Sequence, residues 1–128
     1  MVPDWFVRAG DSREFWTEER CFITELMNDP AEPAVSLAVA RVEPGVTTQL
    51  HRLDGVTERY VVRKGRGIVE VDGVRKRLET GDQALIPAGA AQRIENDGDT
   101  DLEFYCVCTP RFFPESYIDL ESPGDASA

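Results

Sequence analysis

Short runs of β-branched and aromatic residues, separated by turn residues, dominate the middle of the chain. The runs RYVVR, GIVEV, QALIP and LEFYCVC are rich in Val, Ile, Phe and Tyr. Turn signals such as Asp72-Gly73, Gly81-Asp82 and Asn96 to Asp99 recur between them. Many short strands at spacings of about 8 to 12 residues, joined by Gly-rich turns, predict a β-sandwich or a β-barrel.

Three further segments have recognisable patterns. Asp72-Gly73 separates GIVEV from VRKRL and predicts a hairpin, because an Asp-Gly pair accepts the positive φ angles of a type I′ turn. Residues 34–42 (AVSLAVARV) predict a strand with small residues on one face. Residues 13–26 alternate aromatic, β-branched and charged positions, which favours an edge strand or a strand pair over a helix.

These patterns divide the chain into four parts. Residues 1–33 are expected to form an N-terminal strand or arm that packs on the barrel or on a dimer partner, and residues 34–110 the barrel itself. The apolar segment PRFFPESYIDL predicts that residues 111–120 pack back onto the barrel. Residues 121–128 (ESPGDASA) have the composition of a disordered tail.

Composition narrows the class of protein. A length of 128 residues suits one domain, and a net charge of −10 with scattered basic residues argues against nucleic-acid and membrane partners. No apolar stretch approaches the roughly 20 residues of a membrane span, and the first fifteen residues lack an apolar signal region, so the cytoplasm is expected. Three cysteines, an odd number, indicate reduced core thiols, with a metal or redox role as the open alternative.

Two ordered sets of residues carry a family resemblance. The first set is Gly45, His51, Glu58 and Gly65, and the second is Gly81, Pro87, Gly89, Gln92 and Asn96. Their spacing resembles the two conserved motifs of the cupin superfamily, G-x5-H-x-H-x3,4-E-x6-G and G-x5-P-x-G-x2-H-x3-N. The resemblance is to a small single-domain bacterial cupin of the RmlC-like superfamily. It implies an all-β fold, the cupin double-stranded β-helix or jelly-roll barrel.

The spacing also predicts how the polar residues meet. His51 and Glu58 flank the turn at Asp54-Gly55, so a hairpin in suitable register aims both at one cavity. Pro87 fixes a turn before the strand that bears Gln92. We therefore expect an imidazole, a carboxylate and an amide to converge inside the barrel.

The resemblance implies a divalent metal such as Mn, Fe, Ni or Zn, here held by His51, Glu58 and Gln92. Two family imidazoles are absent, because Leu53 and Gln92 occupy their positions, and His51 is the only histidine. Leucine cannot ligate, and a neutral amide oxygen is a weaker donor than imidazole for late first-row metals. The alternative is a pocket histidine held by Glu58 or Gln92 without a metal.

Other side chains are candidates for the same cavity. Tyr60 shares the face of Glu58 by period-two alternation, so His51 and Tyr60 are candidate catalytic residues, although a tethered core tyrosine is the alternative. Cys106 and Cys108 lie on one face of a late strand, at the edge of the expected pocket.

Three functions remain open from the sequence. The first is a cupin that binds a divalent metal, a small organic ligand or both; the second is a metal-dependent oxygenase or a sugar or small-molecule isomerase or epimerase. The third is a non-catalytic small-molecule sensor with an apolar cavity lined by Leu53, Tyr60 and Val62. An exposed N-terminal strand edge predicts a homodimer.

Overall fold

The computed structural model describes residues 2–121, and strands account for nearly all of its regular structure. Within those residues the elements are β1 (Glu14–Thr17), β2 (Cys21–Met27), β3 (Ser36–Val42), β4 (His51–Leu53), β5 (Thr57–Lys64), β6 (Gly67–Val71), β7 (Val74–Leu78), β8 (Gln83–Ile86), β9 (Gln92–Glu95), β10 (Leu102–Thr109) and β11 (Tyr117–Asp119), with 3₁₀ turns at Ala9–Asp11 and Pro114–Ser116. Neither short turn could cross a bilayer, and residues 2–121 contain no long apolar helix.

The strands form two antiparallel sheets. One sheet has six strands in the order β1-β2-β3-β10-β5-β8, and the other has five in the order β11-β4-β9-β6-β7. The all-β double-stranded fold is therefore confirmed, with one correction: no strand pairing closes the two sheets into a barrel within the described residues. The sheets instead retain free edges at β1 and β8, and at β11 and β7.

Alternating burial along the strands places the core between the sheets. On β10, Leu102, Phe104, Cys106 and Cys108 are buried while the residues between them are partly exposed. This period of two confirms that the two late cysteines share a face. The apolar centre also contains Val42, Val62, Ile86 and Ile94, all buried.

The Asp72-Gly73 hairpin is confirmed. Asp72 and Gly73 have φ angles of 49° and 83°, as a type I′ turn requires. The flanking residues Val71 and Val74 are paired in the β6–β7 ladder. The predicted strand pair near the N-terminus is also present, as β1 and β2.

The predicted hairpin between His51 and Glu58 is wrong. β4 pairs with β9 and β11 in one sheet, whereas β5 pairs with β10 and β8 in the other. The turn at Gly55, with a φ of 77°, carries the chain from one sheet to the other. Residues close in sequence need not pair, because each strand pairs with whichever neighbours its sheet provides. His51 and Glu58 therefore approach the interior from opposite sheets.

The C-terminal segment packs on β4. β11 pairs with β4 in a register that sets Tyr117 opposite Leu53 and Asp119 opposite His51. Glu121 follows it, accepting a hydrogen bond from the Leu50 amide and pairing with Arg20 at 3.0 Å. The rest of the predicted tail, residues 122–128, lies outside the described residues.

Candidate functional site

A cavity of about 460 Å³ lies between the sheets, beside the apolar centre. Its inner wall comes from β3, β4, β5 and β10, and the exposed part of its wall comes from β1, the β1–β2 turn, β2 and β11. Its volume is typical of a cavity for a small organic molecule.

His51 begins β4 and is 4% exposed. Its Nδ1 lies 2.8 Å from the backbone oxygen of Gln49, and a carbonyl can only accept, so Nδ1 carries the hydrogen. The imidazole stacks on Tyr117, with ring centroids 4.5 Å apart and planes 16° apart. The second ring nitrogen, Nε2, has no hydrogen-bond partner among the described residues.

Glu58 lies on β5, lines the cavity and is 8% exposed. The Cys108 thiol donates to Oε2 at 3.7 Å, while Oε1 has no hydrogen-bond partner among the described residues. Burial raises the pKa of Glu58 to about 8, and the negative charge of Glu19 adds to the rise. Polar hydrogens of Cys108, Gln92 and Cys106 act in the opposite direction. Glu58 is therefore mostly protonated at neutral pH.

Tyr60 and Gln92 form a buried pair. The Tyr60 hydroxyl donates to Gln92 Oε1 at 2.7 Å, and the Tyr60 ring packs on Phe104 with centroids 4.5 Å apart. Burial raises the pKa of Tyr60 well above its usual value. Gln92 is paired with His51 across β4 and β9, yet only Tyr60 of the buried pair lines the cavity. Val62, the third predicted lining residue of the apolar pocket, lies in the packed centre instead.

The donor set does not fit a late first-row metal. Gln92 accepts a hydrogen bond from the Tyr60 hydroxyl and does not line the cavity, and Leu53 presents hydrocarbon to it. Burial also raises the pKa of the Cys106 and Cys108 thiols, which disfavours thiolate ligands. Across residues 2–121 no three His, Cys, Asp or Glu side chains are grouped to hold a metal ion. His51 and Glu58 alone provide fewer strong donors than Mn, Fe, Ni or Zn sites use.

Several residues that line the cavity lie outside the two sequence motifs. Tyr117 stacks on His51, and its hydroxyl donates to Gln49 Oε1 at 2.6 Å. Glu19 lies at the cavity mouth, with its side chain accepting from the Cys21 thiol at 3.5 Å. The aromatic composition of residues 111–120 indicated packing, but it did not indicate which strand this segment would cover.

The motif residues outside the cavity support turns and loops. Gly65 has a φ of 78°, and a Cβ there would lie 2.6 Å from the Asp101 backbone oxygen, so only glycine fits. Asn96 is buried, and its amide donates to the backbone oxygens of Val42 and Thr100 at 2.9 and 2.8 Å. A family model of the cupin domain matches residues 38–108, more than half of the chain.

The chain belongs to the cupin family. An uncharacterized protein of Methanocaldococcus jannaschii is 32% identical over 111 residues, covering 85% of this cupin and 86% of that protein. An oxalate-binding protein of Thermotoga maritima is 34% identical over 67 residues, about half of each chain at 52% and 55%. The crystal structure of the nucleoside dehydratase Pac13 from Streptomyces is similar in fold, with a TM-score of 0.76 at 15% identity and 92% coverage of both chains.

Proposed function

We propose that this cupin binds a small organic molecule in the cavity between its sheets, with His51 and Glu58 as the polar groups that orient it. The observation that carries the proposal is a largely apolar cavity of about 460 Å³ whose lining includes the buried polar side chains of His51 and Glu58. A ligand that hydrogen bonds to a polar group of the lining gains about 0.5–1.5 kcal/mol net for each bond. The cavity is thus suited to a ligand with at least one hydrogen-bonding group.

Acid–base turnover is the second candidate function, and a specific observation favours it. Nε2 of His51 has no hydrogen-bond partner among the described residues, so a neutral imidazole there can accept a proton, while the raised pKa of Glu58 keeps a proton on its carboxyl group at neutral pH. A base and an acid in one cavity support isomerisation, epimerisation or loss of water. The Streptomyces relative in fold, a nucleoside dehydratase, is consistent with elimination chemistry in a cavity of this architecture.

The metal-dependent oxygenase has less support. Such an enzyme needs a redox metal with at least three strong protein ligands, and the cavity lining offers only His51 and Glu58 of the predicted set, because Gln92 does not line it. Metal analysis of protein purified without chelator is expected to find less than about a tenth of an equivalent, with no recovery on adding Mn, Fe, Ni or Zn. A stoichiometric amount of bound metal would contradict this expectation and support the metal-binding function.

A screen of small organic molecules tests ligand binding. Compounds that raise the melting temperature should bind His51→Gln and Glu58→Gln at least about tenfold more weakly, because each variant alters one orienting group. Glu43→Gln is the matched control, since Glu43 is exposed and lies outside the cavity. Hits that bind all three variants as they bind the native protein would place the ligand elsewhere and reject the proposal.

We also propose a homodimer formed through the free edge of β1. Phe15 and Trp16 on this strand and Trp5 before it are large apolar residues that are half exposed or more. An unpaired apolar edge is a pairing surface. Sedimentation at micromolar concentration should give twice the 14.3 kDa chain mass, and Trp16→Glu should shift it to the monomer. A monomeric native protein would refute the pairing.

A further inference from the structure

The charges around the cavity all have one sign. Among the described residues, no lysine or arginine lines it. Four carboxylic side chains of the lining are at least partly exposed and define the mouth of the cavity: Glu18, Glu19, Glu25 and Asp119. A fifth, Glu58, is buried inside. A cleft lined by one sign of charge concentrates the field within it and raises the local concentration of oppositely charged molecules.

No cation of the described residues neutralises these side chains. Ion pairs elsewhere in residues 2–121 join arginines to acids outside the cavity, such as Arg41 with Glu14 and Arg93 with Glu70. Arg20 is the neighbour of Glu19 in sequence, yet its guanidinium donates to Glu121 and to the Thr47 backbone oxygen. Within residues 2–121 the carboxylates of the mouth therefore have no cationic partner.

The interior of the cavity contains a buried carboxyl group that is only partly hydrogen bonded. Glu58 is more than nine-tenths buried, lines the cavity and leaves Oε1 without a partner among the described residues. The charge of Glu19 is felt inside, because it contributes to the raised pKa of Glu58 and of Tyr117. The mouth and the interior therefore act together on one occupant.

The walls are aromatic, which distinguishes an organic cation from a bare metal ion. Aromatic rings on the lining are Phe15, His51, Tyr60, Phe104, Phe112 and Tyr117. The faces of phenylalanine and tyrosine rings attract ammonium groups and also cover apolar ligand surface. The cavity volume far exceeds that of a single ion.

We propose that the ligand is an organic cation, an amine with an aromatic or aliphatic body, and that acids such as oxalate and sugar nucleotides are excluded. The inference rests on the proposed small-molecule function and specifies its ligand class. The ammonium group enters past the carboxylates of the mouth, and the body packs among the rings.

Matched ligands that differ only in charge test the inference. The two series are benzylamine, benzyl alcohol and benzoate, and tryptamine, tryptophol and indole-3-acetate, titrated by calorimetry and by ligand-observed NMR. In at least one series the amine should bind at least about tenfold more tightly than the alcohol, and the carboxylate most weakly. The amine affinity should fall with added salt. An alcohol or carboxylate that binds as tightly as its amine overturns the inference, and so does the absence of amine binding.

A charge variant with a matched control assigns the effect to the mouth. Glu19→Gln should weaken amine binding about threefold or more while leaving alcohol binding unchanged. Glu43→Gln changes the net charge equally but lies outside the cavity, and it should leave both unchanged. Equal losses in the two variants would mean a general charge effect and would overturn the inference.

Two further outcomes separate the possible failures. Neutral or acidic compounds that bind the native protein in preference to the amines, and that do not bind Glu58→Gln, would reject the preference for a cation. The proposed binding of a small organic molecule would still hold. Saturation by MnCl₂ or ZnCl₂ alone, with loss of amine binding, would assign the cavity to an inorganic cation and overturn the organic one. Failure of every compound in both the series and the wider screen would reject the two proposals together.

Discussion

The same strands build two different halves of the interior. Toward one end of β10, Leu102 pairs with Val42, and both side chains are fully buried in the apolar centre. Toward the other end, Cys106 pairs with Ala38 and Cys108 with Ser36. The first half is packed with large apolar side chains, whereas the second uses small ones and leaves the cavity.

The polar residues follow the same division. Along β5, Val62 belongs to the packed half, Tyr60 lies at the boundary and Glu58 lines the cavity. Large side chains that interdigitate stabilise the fold, and small ones that leave space permit a ligand. Small side chains on β3 and β10 therefore leave room for the cavity, and residues outside the strands, such as Glu19 and Phe112, complete its wall.

Truncation in the packed half gives the largest expected effect. Leu102→Ala should lower the free energy of unfolding by about 2–5 kcal/mol, because Leu102 is fully buried and its removal leaves a void. Cys106→Ala, on the same strand beside existing space, should cost about 1 kcal/mol. Urea unfolding of both variants measures the difference, and equal losses would contradict the division into two halves.

The pH dependence of stability probes the polar half. Glu58 has an ordinary value of 4.5 when unfolded and a pKa of about 8 when folded. Below pH 4.5 both states hold the proton, and stability is unaffected. Between 4.5 and about 8 only the unfolded state releases it, so the free energy of unfolding should fall by up to about 5 kcal/mol across this range.

Glu58→Gln is the control for this titration. The variant cannot ionise, so its stability should fall less over the same pH range and exceed that of the native protein near pH 8. Parallel stability curves for the two proteins would show that Glu58 does not carry the dependence.

The boundary between the halves depends on the Tyr60–Gln92 hydrogen bond. Tyr60→Phe should cost about 1–2 kcal/mol, because it leaves Gln92 Oε1 buried without its donor. The double variant Tyr60→Phe with Gln92→Leu should cost less than the sum of the single changes. Strict additivity in this double-mutant cycle would refute the coupling.

Filling the cavity should have the smallest effect on stability. Ala38→Leu adds volume where space exists and should change the free energy of unfolding by less than about 1 kcal/mol. Val42→Phe adds volume in the packed half and should cost about 1–3 kcal/mol. Thermal unfolding compares them, and an equal cost would mean that the cavity is not open in solution.

Local signals made much of the fold predictable from the sequence. The Asp72-Gly73 turn and the alternation on β5 and β10 depend on neighbouring residues, and the structure confirms both predictions. The sequence did not predict the pairing of β4, because its partners β9 and β11 are distant in sequence and no local pattern specifies them. Closure into a barrel likewise depends on strand edges that only the folded sheets define.

The candidate site was partly predictable for the same reason. Motif spacing identified His51 and Glu58, and alternation added Tyr60, all of which line one cavity. The engagement of Gln92 by Tyr60 could not be predicted, because the two residues are 32 positions apart and their contact depends on how the sheets face each other. The carboxylates of the mouth lie in segments that the motifs do not include.

The hydrogen bond from His51 to the Gln49 carbonyl has a consequence for isotope experiments. With Nδ1 committed, a hydrogen removed from a bound molecule can reside only on Nε2 and can leave only by the same route. Turnover by this imidazole would therefore move the atom along a single face of the molecule. Part of a deuterium label would then return to the molecule from which it was removed, and the rest would exchange into the surrounding water.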